Sequence, residues 1–142
     1  MEVRKYKHGT IEYQQKLQAS IDAIPILVSY INSDEVYEYA NRAYEKWLHK
    51  ERETIVGRSI RDVLGEETYL LSKPHIDAAL AGEVQLFENL VHSSTGELLT
   101  LNVSYIPDYD DEGRVAGFFV SGSDVSVAKR AKRELAKALE TA

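Results

Sequence analysis

The sequence contains no cysteine. Disulfides, thiolate nucleophiles and Cys-ligated metals are therefore excluded. The same absence suits a reducing compartment, and a cytoplasmic location is expected. No apolar run approaches the ~20 residues of a membrane-spanning helix. Met1 to Gly9 is charged and polar and lacks the apolar core of a signal peptide, so neither export nor anchoring is expected. Nor is there a P-loop, a nucleophile elbow, a Rossmann glycine pattern, or a kinase or cyclase signature. The four histidines, His8, His49, His75 and His92, include no pair at metal-ligand spacing. Asp108, Asp110, Asp111 and Glu112 crowd one acidic turn, which reads as solvated surface. Catalysis and metal binding thus find no support, and we expect a protein that is not an enzyme.

Basic surface is scarce as well. The net charge is −6, and the segment 125–142 holds five basic and two acidic residues, so it carries +3 and the remainder −9. An acidic body argues against nucleic-acid binding by this domain, which would need a basic face.

What is present is an ordinary globular composition, 44% hydrophobic and 28% charged over 142 residues, a length that suits one domain. Thr10 to Ala23 reads as an amphipathic helix through Tyr13, Leu17, Ile21 and Ile24, capped by Thr10 and stopped by Pro25. Ile26–Ile31 and Val36–Ala40 read as strands joined by the Asn32-Ser33-Asp34 turn. Asn41 is expected to cap a short helix, Arg42–Leu48, and Ser59–Leu64 is a further helical turn or two. A longer helix lies within Gly65–Ala81, which Pro74 should kink or divide and Gly82 should end. Val84–His92, Leu98–Ile106 and Val115–Ser121 read as strands, separated by Ser94-Thr95-Gly96 and by the acidic turn. Ser126 then caps a last helix. Strands at both ends with helices between predict an α+β fold: one five-stranded antiparallel sheet with short helices on one face.

That order, with particular residues at matching places, resembles the PAS domain family over about Ile24 to Ser126. Four stretches carry the resemblance: Pro25 followed by a strand and Tyr39-Ala-Asn-Arg-Ala-Tyr44; Ile55-Val-Gly-Arg-Ser59; Ala79-Leu-Ala-Gly-Glu83; and Gly113-Arg-Val-Ala-Gly-Phe118 with Asp124-Val-Ser126. The implied organisation is a helical extension over 1–23, a PAS core over 24–124 and a signalling helix over 125–142. The resemblance implies a sensory or regulatory module that binds a small ligand or partner and passes a conformational change through its last helix. A histidine kinase, cyclase or transcription regulator, on this or another chain, would receive the signal, as in two-component systems.

Members that form a flavin–cysteinyl adduct or a thiol-linked chromophore need a cysteine, which this chain lacks. Haem-binding members use a histidine of the long helix. His75 lies in that region but reads equally as a surface or core-edge residue. No cofactor is assigned. The pocket implied by the family lies between sheet and short helices. Its candidate residues are Leu101, Val103 and Tyr105 by strand alternation, Phe118, Val120 and Gly122 on the last strand, and Tyr39, Trp47, His75 and Asn89 beside them. Asn89 is the most informative if it faces inward, with Tyr39, Ser29, water or a ligand as partner. Asp124 and Ser126 are the expected junction with the last helix. In that helix Ala131, Leu135 and Ala138, flanked by Ala128 and Ala142, form a narrow seam suited to a coiled coil. With Leu17, Ile21, Ile24 and Phe119 they compose the expected interface of a homodimer. Two alternatives remain: a ligand-free dimerisation module with a self-filled core, and a small isomerase-like α+β enzyme built around His75.

Overall fold

The computed structural model describes residues 11–23, 26–93 and 95–141. His8, Thr10, Ile24, Pro25, Ser94 and Ala142 lie outside the described residues, as do the side chains of Tyr13, Ser126 and Ala128. Helix α1 (Ile11–Ala23) leads into strands β1 (Leu27–Asn32) and β2 (Tyr37–Ala40). Four helices follow: α2 (Ala43–Leu48), α3 (Arg52–Ile55), α4 (Ile60–Leu64) and α5 (Glu66–Leu80). Strands β3 (Gln85–His92), β4 (Leu98–Tyr109) and β5 (Val115–Asp124) precede the last helix, α6 (Ser126–Thr141). The strands form one antiparallel sheet in the order β2-β1-β5-β4-β3, so the first hairpin and the last strand meet at the centre. The α+β architecture expected from the sequence is the one observed.

The alternation in β4 sorts its faces. Leu101, Val103 and Tyr105 are buried while Asn102 is exposed. On β5, Phe118 is fully buried and its neighbour Phe119 is half exposed. Leu27, Ile31 and Tyr37 complete the buried face from β1 and β2, and Tyr44, Ile55, Ile60, Val63, Ile76 and Ala79 pack onto it from the helices.

Two local expectations are corrected. Pro74 does not divide α5, which runs unbroken through 15 residues. A proline deletes one backbone donor, and the buried stripe Thr68, Tyr69, Ser72, Ile76 and Ala79 holds the helix on the sheet regardless. At its end, Glu83 N–H donates to Ala78 C=O at 2.9 Å and Gly82 N–H to Ala79 C=O at 3.0 Å, with Gly82 at φ 98°. This is a Schellman motif, whose left-handed residue favours glycine. Asn41 does not cap α2 with its side chain; the cap position is Arg42, in helical conformation. The Asn41 amide turns inward instead. Its Oδ1 accepts from Val28 N–H at 3.0 Å and its Nδ2 donates to Ile26 C=O at 2.8 Å. Ser59, by contrast, caps α4 by accepting from Asp62 N–H at 3.1 Å.

Candidate functional site

Between the buried sheet face and the short helices lies a small cavity of about 40 Å³. Its sheet wall is Leu27, Ile31 and Tyr37 with Asn89, Val91, Leu101, Val103, Tyr105, Val120 and Gly122; Tyr44, Leu48, Ile60 and Leu64 close it from the helices. Six residues expected from the sequence are brought together here: Asn89, Leu101, Val103, Tyr105, Val120 and Gly122. Gly122 helps keep the space open, since a Cβ there would stand 3.6 Å from Leu27 and 3.8 Å from Leu101, in ordinary contact.

The other four candidates lie elsewhere. Phe118 is fully buried core, with its ring 4.6 Å from that of Tyr105. Tyr39 pairs with Tyr30, across a register shift from the Ile31–Tyr37 pair that takes it off the inward face, and lines a shallow cleft with Arg52 and Val56. Trp47 lines a separate open cleft of about 270 Å³ with His49, Leu99 and Asp124. His75 stacks flat on Phe87, centroids 3.7 Å apart, and its Nδ1 meets Gln85 Oε1 at 2.9 Å. Both ring face and ring nitrogen are thus engaged outside the cavity, so the isomerase-like reading has no imidazole where it needs one. Among the described residues, no carboxylate or histidine lines the cavity.

The polar groups at the cavity are few and already paired. Asn89 Nδ2 donates to Ser72 Oγ at 2.8 Å, and Ser72 Oγ donates to Thr68 C=O at 2.8 Å. The partner of Asn89 is therefore a serine of α5, rather than Tyr39 or Ser29. Tyr44 Oη donates to Ser29 Oγ at 2.8 Å, and its ring meets that of Tyr37 edge-on at 5.8 Å. Burial pushes the Tyr44 hydroxyl pKa up to about 12, against hydrogen bonds with Ser29 and Tyr37 that lower it. Burial also raises those of Tyr37 and Tyr105, reinforced in each by the proximity of Tyr44. All three phenols stay neutral donors at ordinary pH. Among the described residues no buried side-chain polar atom lacks a partner. Tyr37 and Tyr44 escape sequence reasoning because a tyrosine reads equally well as half-buried surface. β1 alternates cleanly, but β2 does not: a register shift leaves both Tyr37 and Ala40 buried, so no alternation in the sequence singles out Tyr37.

At the end of β5, Val125 N–H donates to Thr100 C=O at 3.0 Å, and Lys129 Nζ meets Glu88 Oε1 at 2.7 Å. These contacts root α6 on the sheet. Beyond them every described side chain of α6 is exposed, with Leu135 at 61% and Leu139 at 69%. Leu17 and Phe119 are also about half exposed. Among the described residues there is no cluster of three metal-ligating side chains, and no helix is long and apolar enough to cross a membrane.

A family model described as PAS fold matches residues 21–130. No curated protein matches the chain. Several solved structures share the fold. The Vibrio cholera VqmA–ligand–DNA complex superposes with a TM-score of 0.71 at 19% identity, covering 84% of this chain and 53% of that one. An RNA-binding light-oxygen-voltage receptor does so with a TM-score of 0.69 at 19% identity, covering 90% and 37%. The PAS domain of a Colwellia psychrerythraea protein superposes with a TM-score of 0.63 at 13% identity, covering 80% and 97%. This chain thus spans about half of the first of these and just over a third of the second. The family match covers most of the chain, and the strand order, the helical cover and the cavity beneath it are in place: the chain belongs to the PAS fold family.

Proposed function

We propose that this chain is a sensory and regulatory module whose cavity takes a small ligand and whose α6 carries the response to an effector. The observation that supports it is a shared strand. Val120 and Gly122 line the cavity, and two residues after Gly122 β5 ends at Asp124 and leads into α6. A ligand that repacks that wall acts on the root of the helix; it shifts the balance of two helix positions only by its differential affinity for them. The fold neighbour VqmA, solved in complex with ligand and DNA, offers a precedent for this fold in a chain that binds both. The exposed Ala131–Leu135–Ala138 seam, continued by Leu139, suits pairing with a second copy, and an isolated helix of this kind is marginal in water. The effector, a kinase, cyclase or transcription regulator, would lie on this or another chain.

The second reading is a ligand-free dimerisation module, favoured by the small cavity and its satisfied polar groups. Native mass spectrometry of the purified protein separates the two. A dimer carrying added small-molecule mass is expected, with Leu135→Glu giving a monomer. Bare dimers that resist every added small molecule would favour the second reading, and a bare monomer would remove the role of the α6 seam.

A further inference from the structure

The cavity is too small for the ligand that the sensory reading requires. It measures about 40 Å³, enough for a few waters at roughly 10–15 Å³ each. A benzene-sized guest needs about 150 Å³, and pockets for larger organic ligands run to roughly 300–1,000 Å³. A wall must therefore move before any ring or branched chain can enter.

One wall faces a second space. Leu48, Leu64 and Val91 line the cavity and also line an outer cleft of about 310 Å³. Val91 is held in β3, paired with Leu99 of β4. Leu48 and Leu64 are different: each is the last residue of a short helix and each is only partly buried. The chain turns sharply after both, through His49 at φ 51° and Gly65 at φ 88°. Packed on the core from helix ends rather than held in the sheet, their side chains are the part of the partition that can move without breaking a strand pairing.

The outer cleft is polar, and its notable member is Lys50. This half-buried lysine donates from Nζ to Val63 C=O at 2.9 Å. Among the described residues no carboxylate lies within ion-pair distance of it, unlike Lys73 or Lys129. A partly desolvated ammonium on a neutral carbonyl gains from a carboxylate partner. Asp62 and His92 complete the cleft's ionisable lining, and Asp62 is exposed.

We propose that the cavity and the outer cleft are two halves of one site for a small monocarboxylate with an aromatic or branched aliphatic end. The apolar end enters the cavity as Leu48 and Leu64 swing aside, and the carboxylate rests on Lys50. This rests on the ligand-sensing reading above and names its ligand class.

The test uses three probes of one shape: 3-phenylpropionate, 3-phenylpropan-1-ol and 3-phenylpropylamine, titrated into the ¹⁵N-labelled protein and followed by amide shifts. The acid should shift Val91 and Leu101 in the cavity together with Lys50 and Val63 at the cleft. It should bind about tenfold or more tightly than the alcohol, the increment of one charge-assisted hydrogen bond. Lys50→Met should reduce the acid to the affinity of the alcohol, and Lys50→Arg should preserve the difference. Leu64→Ala should strengthen binding of both by widening the passage. Equal affinity of acid and alcohol with the cavity amides shifted would overturn the carboxylate assignment and leave the sensory reading standing. Preference for the amine would assign the cleft to Asp62 and overturn it likewise. Cavity amides silent to all three probes, in the wild type and in Leu64→Ala, would remove this inference; the sensory reading falls separately, when the purified protein carries no small-molecule mass and takes up none.

Discussion

Asn41 is fully buried where β2 passes into α2, and its side chain bonds the main chain on both sides of Leu27. Truncating it leaves Val28 N–H and Ile26 C=O without those partners in a part-buried site. Each unmet buried group costs about 1–3 kcal/mol. Asn41→Ala should therefore lower unfolding stability by about 3 kcal/mol, read as a reduced urea midpoint at unchanged slope. A loss under about 1 kcal/mol would mean that water replaces the amide. The residue was legible as important but not in its role. Asn before a helix reads as a cap, and only the folded chain reveals that β1 offers its amide better partners than α2 does. His75 misleads in the same way: its place on the long helix suggests a ligand, while Gln85 and Phe87, ten and twelve positions on, engage it.

Elements were easier to read than residues, because periodicity repeats its evidence. The alternation through Leu99–Tyr105 places β4 and its inner face, and the turns place β3 and β5 beside it. The spacing puts Tyr44, Trp47 and Leu48 on one face of α2, but a helix so brief does not tell which of them reaches the cavity: Tyr44 and Leu48 do and Trp47 does not, and in α4 Ile60 and Leu64 go unseen. At the sheet centre two glycines of β5 make opposite predictions. A Cβ on Gly117 would collide with Ile31 C=O and stand 2.7 Å from Tyr30 Oη. Tyr30 has little room to yield, since its Oη donates to Asp108 Oδ2 at 2.7 Å and its ring packs on Phe119. Gly117→Ala should cost about 3 kcal/mol, the upper end of ordinary overpacking, and broaden the amide signals of β1. Gly122→Ala, which meets its neighbours at van der Waals distance, should shift the urea midpoint by less than about 1 kcal/mol. Equal effects of the two substitutions would contradict the tight approach of β1 to β5.

At the scale of the whole molecule, the neutral phenols around the cavity tie the fold to pH. Burial raises the hydroxyl pKa values of Tyr37, Tyr44 and Tyr105, that of Tyr44 to about 12. In the unfolded chain a tyrosine ionises near about 10. The folded state therefore holds its protons longer, so the stabilisation is complete below about pH 10 and is lost as pH rises toward the folded values. Each tyrosine contributes a slope of about 1.4 kcal/mol per pH unit over its window. For Tyr44 that window closes at about 12. Urea unfolding should give a flat stability between about pH 8 and 9 and a steep fall above 10, with several protons released on unfolding. Tyr44→Phe should remove about one proton's worth of that slope and, at pH 8, cost the hydroxyl's bonds to Ser29 and Tyr37. Ultraviolet titration of the folded protein should show these phenols ionising late. Early ionisation of all nine tyrosines would mean that water already fills the cavity, which would in turn lower the gain available to any apolar ligand that displaces it.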